Sequence, residues 1–261
     1  MVVLPPRPSN AIRFVDTVCV VTGAGGGIGS AIAERLAAEG SHVVVCDVTA
    51  QAAEATVATI TGRGQRAEAL VFDLTDPAAC TAAIERVVAE HGRLDVLVNN
   101  AGVNRRGDLL SITDDDWRLT FAVNLDALFH LCRAALPPMV AAGRGAIVNV
   151  ASQWGQHPVP GHIAYNVSKA AVVSFTENLA RDYAPHGVRV NAVAPGEIFT
   201  PMVAAGLARS GRTRAELDAL VPYGRVGEPA EVAALVAFLA SDEAPYLCGS
   251  VVGITGAQAA G

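Results

Sequence analysis

A chain of 261 residues, 51% hydrophobic but only 5% aromatic, carries enough apolar mass for one large α/β domain built on Val, Ile, Leu and Ala. Its formal charge of −6, with Lys and Arg scattered along the chain, leaves no electrostatic footprint for nucleic acid or an anionic membrane, so a small-molecule partner is expected. No continuous apolar run reaches the roughly 18 residues that suggest a membrane-spanning helix, and a cytoplasmic location is expected.

Residues 1–12, with Pro5, Pro6 and Pro8 and no basic stretch before an apolar run, read as a flexible N-terminal arm rather than a secretory signal. Residues 13–261 follow as a single domain. The β-branched run 17–22 predicts a first strand that ends in glycines, and the spacing over 28–39 predicts a helix that Gly40 closes. A strand at 42–46, a helix over 50–60 and a strand at 67–72 come next. Asp76 and Pro77 cap and open a helix running to about His91, before a fourth strand at 96–98. Thr113, followed by Asp114, Asp115 and Asp116, starts a long helix that ends near Gly143. A strand at 147–150, a helix over about 163–183, a strand at 188–193, a helical region after Thr200, a helix over 229–240 and a last strand near Val251 complete the series. Repeated strand–helix units with right-handed crossovers give an α/β doubly wound parallel sheet of about seven strands with helices on both faces. Cys19, Cys46, Cys80, Cys132 and Cys248 are odd in number and far apart, and are expected to be reduced thiols. With no CxxC or HxxxH pairing, no metal is expected, and a zinc-dependent alcohol dehydrogenase is a poor fit.

The segment Thr22-Gly23-Ala24-Gly25-Gly26-Gly27-Ile28-Gly29 lies where strand one hands over to helix one, where a pyrophosphate meets backbone N–H groups and a helix dipole. A glycine-rich turn without a ligand would look the same. Asp47 at the end of strand two supplies the context, because its carboxylate accepts hydrogen bonds from adenosine ribose hydroxyls and repels a 2′-phosphate. No basic residue stands at position 48 or among 24–26, so NAD is expected over NADP. Tyr165 and Lys169 share one helix face a turn apart, and an ammonium beside a phenol lowers its pKa from ~10 toward proton transfer near neutrality. Ser152 ends strand five at the same sheet edge, and Asn124 in the preceding helix offers an amide that could hold a water or a backbone carbonyl near the lysine.

These motifs, with Asn99-Asn100-Ala101-Gly102 and Pro195-Gly196, resemble the short-chain dehydrogenase/reductase family over about residues 17–252. The resemblance implies a Rossmann-like fold and NAD-dependent hydride transfer between a secondary alcohol and a ketone. It implies Tyr165 as general acid/base, Lys169 on the nicotinamide ribose and lowering the tyrosine pKa, Ser152 positioning the reacting oxygen, and Asn124 supporting a proton relay. Cofactor contacts are implied at Gly23, Gly27, Ile28 and Gly29, at Asp47, at Asp73 facing the adenine, and at Asn99, Ala101 and Gly102 along the ribose. Pro195 and, at the carboxamide, Ile198 and Thr200 complete that set. A homo-oligomer, tetramer or dimer, is also implied, with helices at about 116–142 and 163–183 at the interface. The family's usual Val-Asp-Gly-Gly-like C-terminal turn is replaced by Gly253-Ile254-Thr255-Gly256-Ala257, which leaves the tetramer packing open.

Gln153, Trp154, Gln156, His157 and His162, between Ser152 and Tyr165, suggest with Glu197 a hydroxylated substrate such as a polyol, sugar or hydroxy-acid. Arg105 and Arg106 are further charged residues at this edge, and residues 200–221 could form a substrate lid. Two rivals remain. An acyl-carrier-protein ketoreductase would be expected to use NADPH and an electropositive docking surface, against Asp47 and the net charge. A non-catalytic dinucleotide-binding regulator would not need the full Tyr, Lys, Ser and Asn set.

Overall fold

Side chains alternate across each strand, so runs such as Val18-Cys19-Val20-Val21 feed two cores at once, one on either face of a sheet. In the computed structural model, which describes residues 12–258, this produces one seven-stranded parallel sheet in the order β3-β2-β1-β4-β5-β6-β7. The strands are β1 Val18–Thr22, β2 His42–Asp47, β3 Arg66–Val71, β4 Val96–Asn99, β5 Gly145–Val150, β6 Val188–Pro195 and β7 Val251–Ile254. All except 1–11 of the expected N-terminal arm is described; those residues lie outside the described range.

One face of the sheet buries Cys19, Val21, Val43, Val45, Val98 and Val148 against α1 (Gly27–Ala38), α2 (Ala50–Thr61) and α9 (Pro229–Ala240). The other buries Val18, Val20, Val44, Leu97, Ile147 and Val190 against α3 (Pro77–His91), α5 (Ala127–Ala142) and α6 (Ile163–Tyr183). The elements expected from the sequence are present with ends moved by a residue or two, as fraying and capping allow. The exception is the long helix after Thr113. It is divided into α4 (Asp114–Phe121) and α5 by a π-turn at Ala122–Asp126, where the Ala127 N–H reaches back five residues to the Ala122 carbonyl. Counted through that turn, Asp114–Ala142 is apolar and long enough to cross a membrane, yet Leu128, Leu131, Cys132, Ala135 and Met139 are packed in the core. The helical region after Thr200 resolves into α7 (Pro201–Ser210) and α8 (Arg214–Asp218), the latter closed by a Thr213/Glu216 capping box. Cys19, Cys46, Cys80 and Cys132 are buried free thiols and Cys248 is half-buried.

The strand order reverses direction from β1, which runs outward to β2 and β3 on one side and to β4 on the other. The loops after β1 and β4 diverge at that point, and the cleft they leave at the carboxyl edge is the usual ligand position in open α/β sheets.

Candidate active site

The chain leaves β1 through Gly23 (φ +61) and enters α1 at Gly27 (φ +59), two left-handed positions that a side chain would strain. A Cβ on Gly29 would sit 2.2 Å from the Gly23 carbonyl oxygen, and one on Gly23 would sit 2.9 Å from Ala101 Cα. Helix α1 starts with no side-chain cap hydrogen bond and no acidic residue in its first turn. Its N-terminal N–H groups and positive dipole end therefore suit an anion such as a pyrophosphate. Asp47, ending β2, receives the Gly25 N–H on Oδ2 and the Thr49 N–H on Oδ1, both at 3.0 Å. The adjoining Val48 is exposed and apolar. Asp73 lies on the outer cleft wall, where hydrogen bonds at 2.8 Å from the Thr75 N–H and hydroxyl hold its carboxyl below the usual range. These donor and acceptor positions fit a dinucleotide.

The end of β4 separates two asparagines. Asn100 ties β4 to the glycine loop: its Nδ2 donates to the carbonyls of Thr22 (2.9 Å) and Gly23 (3.1 Å). The Thr22 hydroxyl in turn receives the N–H groups of Asn100 and Ala101. Asn99, expected to border the ribose, instead faces the interior, donating to Asn149 Oδ1 at 2.9 Å and Cys132 Sγ at 3.3 Å. Neighbours on a strand point to opposite faces, so the one-residue difference separates core from cleft. Ala101 and Gly102 line the cleft with Asn100, Val103 and Asn104.

Tyr165 and Lys169 both open onto this cleft from α6, with Lys169 Nζ 5.8 Å from the phenol ring centroid. The ammonium donates to the Val150 carbonyl at 2.7 Å. Gly102 makes room for it, since a Cβ there would fall 3.3 Å from Nζ and 3.4 Å from Asn124 Oδ1. Asn124 sits in the π-turn, a widened helix turn of the kind often found at functional sites. Its Oδ1 accepts the Val103 N–H at 2.8 Å, and its Nδ2 donates to the Val103 carbonyl (3.0 Å) and to Ser168 Oγ (2.9 Å). Its amide therefore braces the loop after β4 against α6, one residue from Lys169. Ser152 lies two residues past β5, with Oγ accepting the Trp154 N–H at 3.1 Å. Burial pushes the Tyr165 phenol up, opposed by the Ser152 hydroxyl, and burial pushes the Lys169 ammonium down to about 8. The expected lowering of the phenol by the lysine is not present: desolvation dominates both groups, and the one opposing influence on the phenol is the Ser152 hydroxyl.

Beyond the tyrosine the wall turns polar. Gln153 lines the cleft with its Nε2 donating to Gln258 Oε1 at 2.9 Å, and Trp154 stands edge-on to Tyr165 with centroids 5.9 Å apart. Glu197 also lines it, its carboxyl pushed up by burial. His162 stands behind Trp154, with ring centroids 4.8 Å apart and Nδ1 2.9 Å from Asn104 Oδ1, while Gln156 and His157 are exposed to solvent. Those three residues support or flank the cleft rather than form its wall. Arg105 is likewise outward, 3.4 Å from Asp116. Pro195, Ile198 and Thr200 line the inner end, with Thr200 Oγ1 capping α7 by accepting the Val203 N–H. Of the expected lid at 200–221, Thr200, Pro201 and Val203 line the cleft. Leu119 and Val123, one turn apart, also line it; their helical apolar spacing marks them in sequence only as core. The cleft encloses about 780 Å³, within the range of small-molecule and cofactor sites.

Residues 23–256 match the family model described as enoyl-(acyl carrier protein) reductase. The 3-oxoacyl-[acyl-carrier-protein] reductase FabG of Thermotoga maritima is 39% identical over 245 residues, covering 94% of this chain and 98% of that protein. The 2-keto-3-deoxy-L-fuconate dehydrogenase of Xanthomonas campestris is 38% identical over 251 residues, covering 94% and 80%. Among solved structures, a gluconate 5-dehydrogenase from Burkholderia cenocepacia, in complex with NADP and tartrate, superposes with a TM-score of 0.90 at 30% identity, covering 97% of this chain and 98% of that one.

Proposed function

The chain belongs to the short-chain dehydrogenase/reductase family, and from that premise we propose that it is an NAD-preferring dehydrogenase of a secondary alcohol carrying further hydroxyls, as in polyols, sugars and sugar acids. The observation that carries the cofactor choice is Asp47. Its carboxylate stands over Gly25, with Oδ2 only 2.7 Å from where a Cβ on Gly25 would lie, and an exposed Val48 follows. A 2′-phosphate there would meet a negative charge and no cation from residues 24–26 or 48. The relative crystallised with NADP and tartrate sets the contrast that a measurement resolves.

Bound NAD supplies the hydride acceptor. Tyr165, as phenolate, takes the proton from the substrate hydroxyl, and as phenol returns one in the reducing direction; a nicotinamide held in the cleft would take up or give back the substrate's hydride. Ser152 Oγ holds the reacting oxygen beside the phenol. Lys169, anchored on the Val150 carbonyl, presents its charge to the nicotinamide ribose and the phenolate. Asn124 keeps the loop after β4 in place through Val103. The polar wall of Gln153, Trp154, Glu197 and Asn104 supports a substrate with several hydroxyls. The 39% identity to FabG supports a second reading, reduction of a 3-oxoacyl thioester, against which Asp47 weighs. Steady-state kinetics with both cofactors on a panel of polyols, sugar acids and 3-oxoacyl thioesters decides. We expect kcat/KM at least about tenfold higher with NAD than NADP; equal or better efficiency with NADP overturns the assignment.

A further inference from the structure

At the amino edge of the sheet, opposite the cleft, three side chains far apart in sequence converge: His42 opens β2, Glu68 lies in β3 and His91 closes α3. His91 Nε2 is 2.6 Å from Glu68 Oε1, and His42 Nε2 is 3.7 Å from the same oxygen. The two imidazole centroids are 4.6 Å apart, and the three ligand atoms all lie within 4.8 Å of one another. The register pairs Glu68 with Val44, so His42 and Glu68 face the same side of the sheet, the side that α3 covers. His91 comes down onto them just before Gly92, at φ +70, turns the chain away. His42 Nε2 is sealed from solvent and has no hydrogen-bond partner among the described residues, an uncommon state for a buried polar atom. The three side chains keep 23%, 35% and 19% exposure, so the cluster lies at the surface although His42 Nε2 itself is covered.

We propose that His42, Glu68 and His91 form a binding site for a divalent transition-metal ion of the zinc type, completed by water, that ties edge strand β3 to β2 and to the end of α3. Two imidazoles and a carboxylate are a donor set that such ions take, at about 2.0–2.2 Å from each ligand atom. A tetrahedral ion with those bonds holds its donors roughly 3.4 Å apart, between the 2.6 Å and 3.7 Å separations of the two imidazoles from Glu68 Oε1. Small rotations of three partly exposed side-chain ends bring them there, with the ion taking the place of the His91–Glu68 hydrogen bond and any proton on His91 Nε2 passing to Nδ1 or to solvent. Binding also gives His42 Nε2 the partner it lacks. The adjacent guanidiniums are engaged elsewhere, Arg66 on the Gly40 carbonyl and Arg86 on Glu90. Five residues of β2, about 16 Å, separate His42 from Asp47, so the ion would act on stability and not on the reaction.

The test uses untagged, chelator-stripped full-length protein titrated with Zn2+ alone by calorimetry, with melting curves in parallel and X-ray absorption on the loaded protein. One Zn2+ per chain, a melting temperature raised by several degrees, and an absorption spectrum fitted by two imidazoles near 2.0 Å without sulfur near 2.3 Å are expected. His91→Gln and Glu68→Gln should each weaken binding at least tenfold and abolish the thermal shift, with dehydrogenase turnover unchanged. Absence of stoichiometric binding, affinity unaltered in both variants, or a sulfur scatterer in the wild-type spectrum overturns the proposal. The spectrum reads the wild-type chain, so the outcome stands even if a variant folds poorly.

Discussion

Tyr165 and Lys169 illustrate how burial sets a reactive pair. Desolvation raises the phenol and lowers the ammonium to about 8, so the two are driven toward neutrality together. In the alcohol-oxidising direction the tyrosine must act as the base, so kcat/KM should climb as pH rises above neutrality. Ketone reduction needs the protonated phenol and should be flat near neutrality and fall at high pH. Tyr165→Phe should retain NAD binding by fluorescence titration yet lose at least about a thousandfold in turnover. Lys169→Met should lose at least about a hundredfold without lowering the melting temperature, because the ammonium it removes is one that burial already disfavours. Retained turnover in either variant, or an oxidation rate that falls with pH, refutes the roles. The pair is legible in sequence because four residues is a fixed helical distance. Asn99 against Asn100 is not legible, since which of two neighbours faces the cleft depends on where β4 ends.

At the scale of elements, the glycine loop and α1 act as one unit, and its glycines are not equivalent. Gly26 is extended and open, with no atom near where a Cβ would stand, whereas a Cβ on Gly29 collides with the Gly23 carbonyl at 2.2 Å and Asn100 Nδ2 at 2.5 Å. Gly26→Ala should fold and melt like the parent. Gly29→Ala should force β1, α1 and the Asn100 clamp apart, costing about 1–3 kcal/mol in denaturant unfolding and raising the KM for NAD several-fold. Equal melting curves for the two variants would contradict this geometry. The sequence shows the strand–glycine–helix pattern and the Asp47 that follows it, because both are local and periodic. It does not show the π-turn at Ala122–Asp126, whose extra residue per turn leaves the apolar spacing of Asp114–Ala142 almost unbroken while turning Asn124 toward Val103 and Ser168. It also hides Leu119 and Val123, which carry the same apolar pattern whether they face core or cleft.

Across the whole molecule the sheet separates chemistry at its carboxyl edge from clamps at its amino edge. One such clamp is Glu39, just past the end of α1 and almost fully buried. It receives Arg13 Nε and Nη2 at 2.6 and 2.8 Å and also pairs with Arg35, while Arg13 reaches Glu243 at 2.6 Å beyond α9. Its own carbonyl accepts the Phe14 N–H at 2.9 Å. One carboxylate thus fastens the chain before β1 to α1, and Arg13 carries the link on to the segment after α9. Burial alone would raise this carboxyl, but the two guanidiniums outweigh it and hold it below the usual range. A carboxyl whose pKa is lower folded than unfolded contributes stability that is complete above its ordinary value of about 4.5 and is lost as pH falls through the folded value. Glu39→Gln leaves the partly exposed guanidiniums of Arg13 and Arg35 without that charge, Arg13 keeping Glu243, and should cost about 2 kcal/mol in chemical unfolding at neutral pH. The difference between parent and variant should shrink as both are unfolded at pH progressively below about 4.5. Helix α1 is about 18 Å long, so the NAD-to-NADP preference at its other end should not move. A variant as stable as the parent at neutral pH, or a stability gap that widens in acid, would mean that the folded state does not depend on this charge.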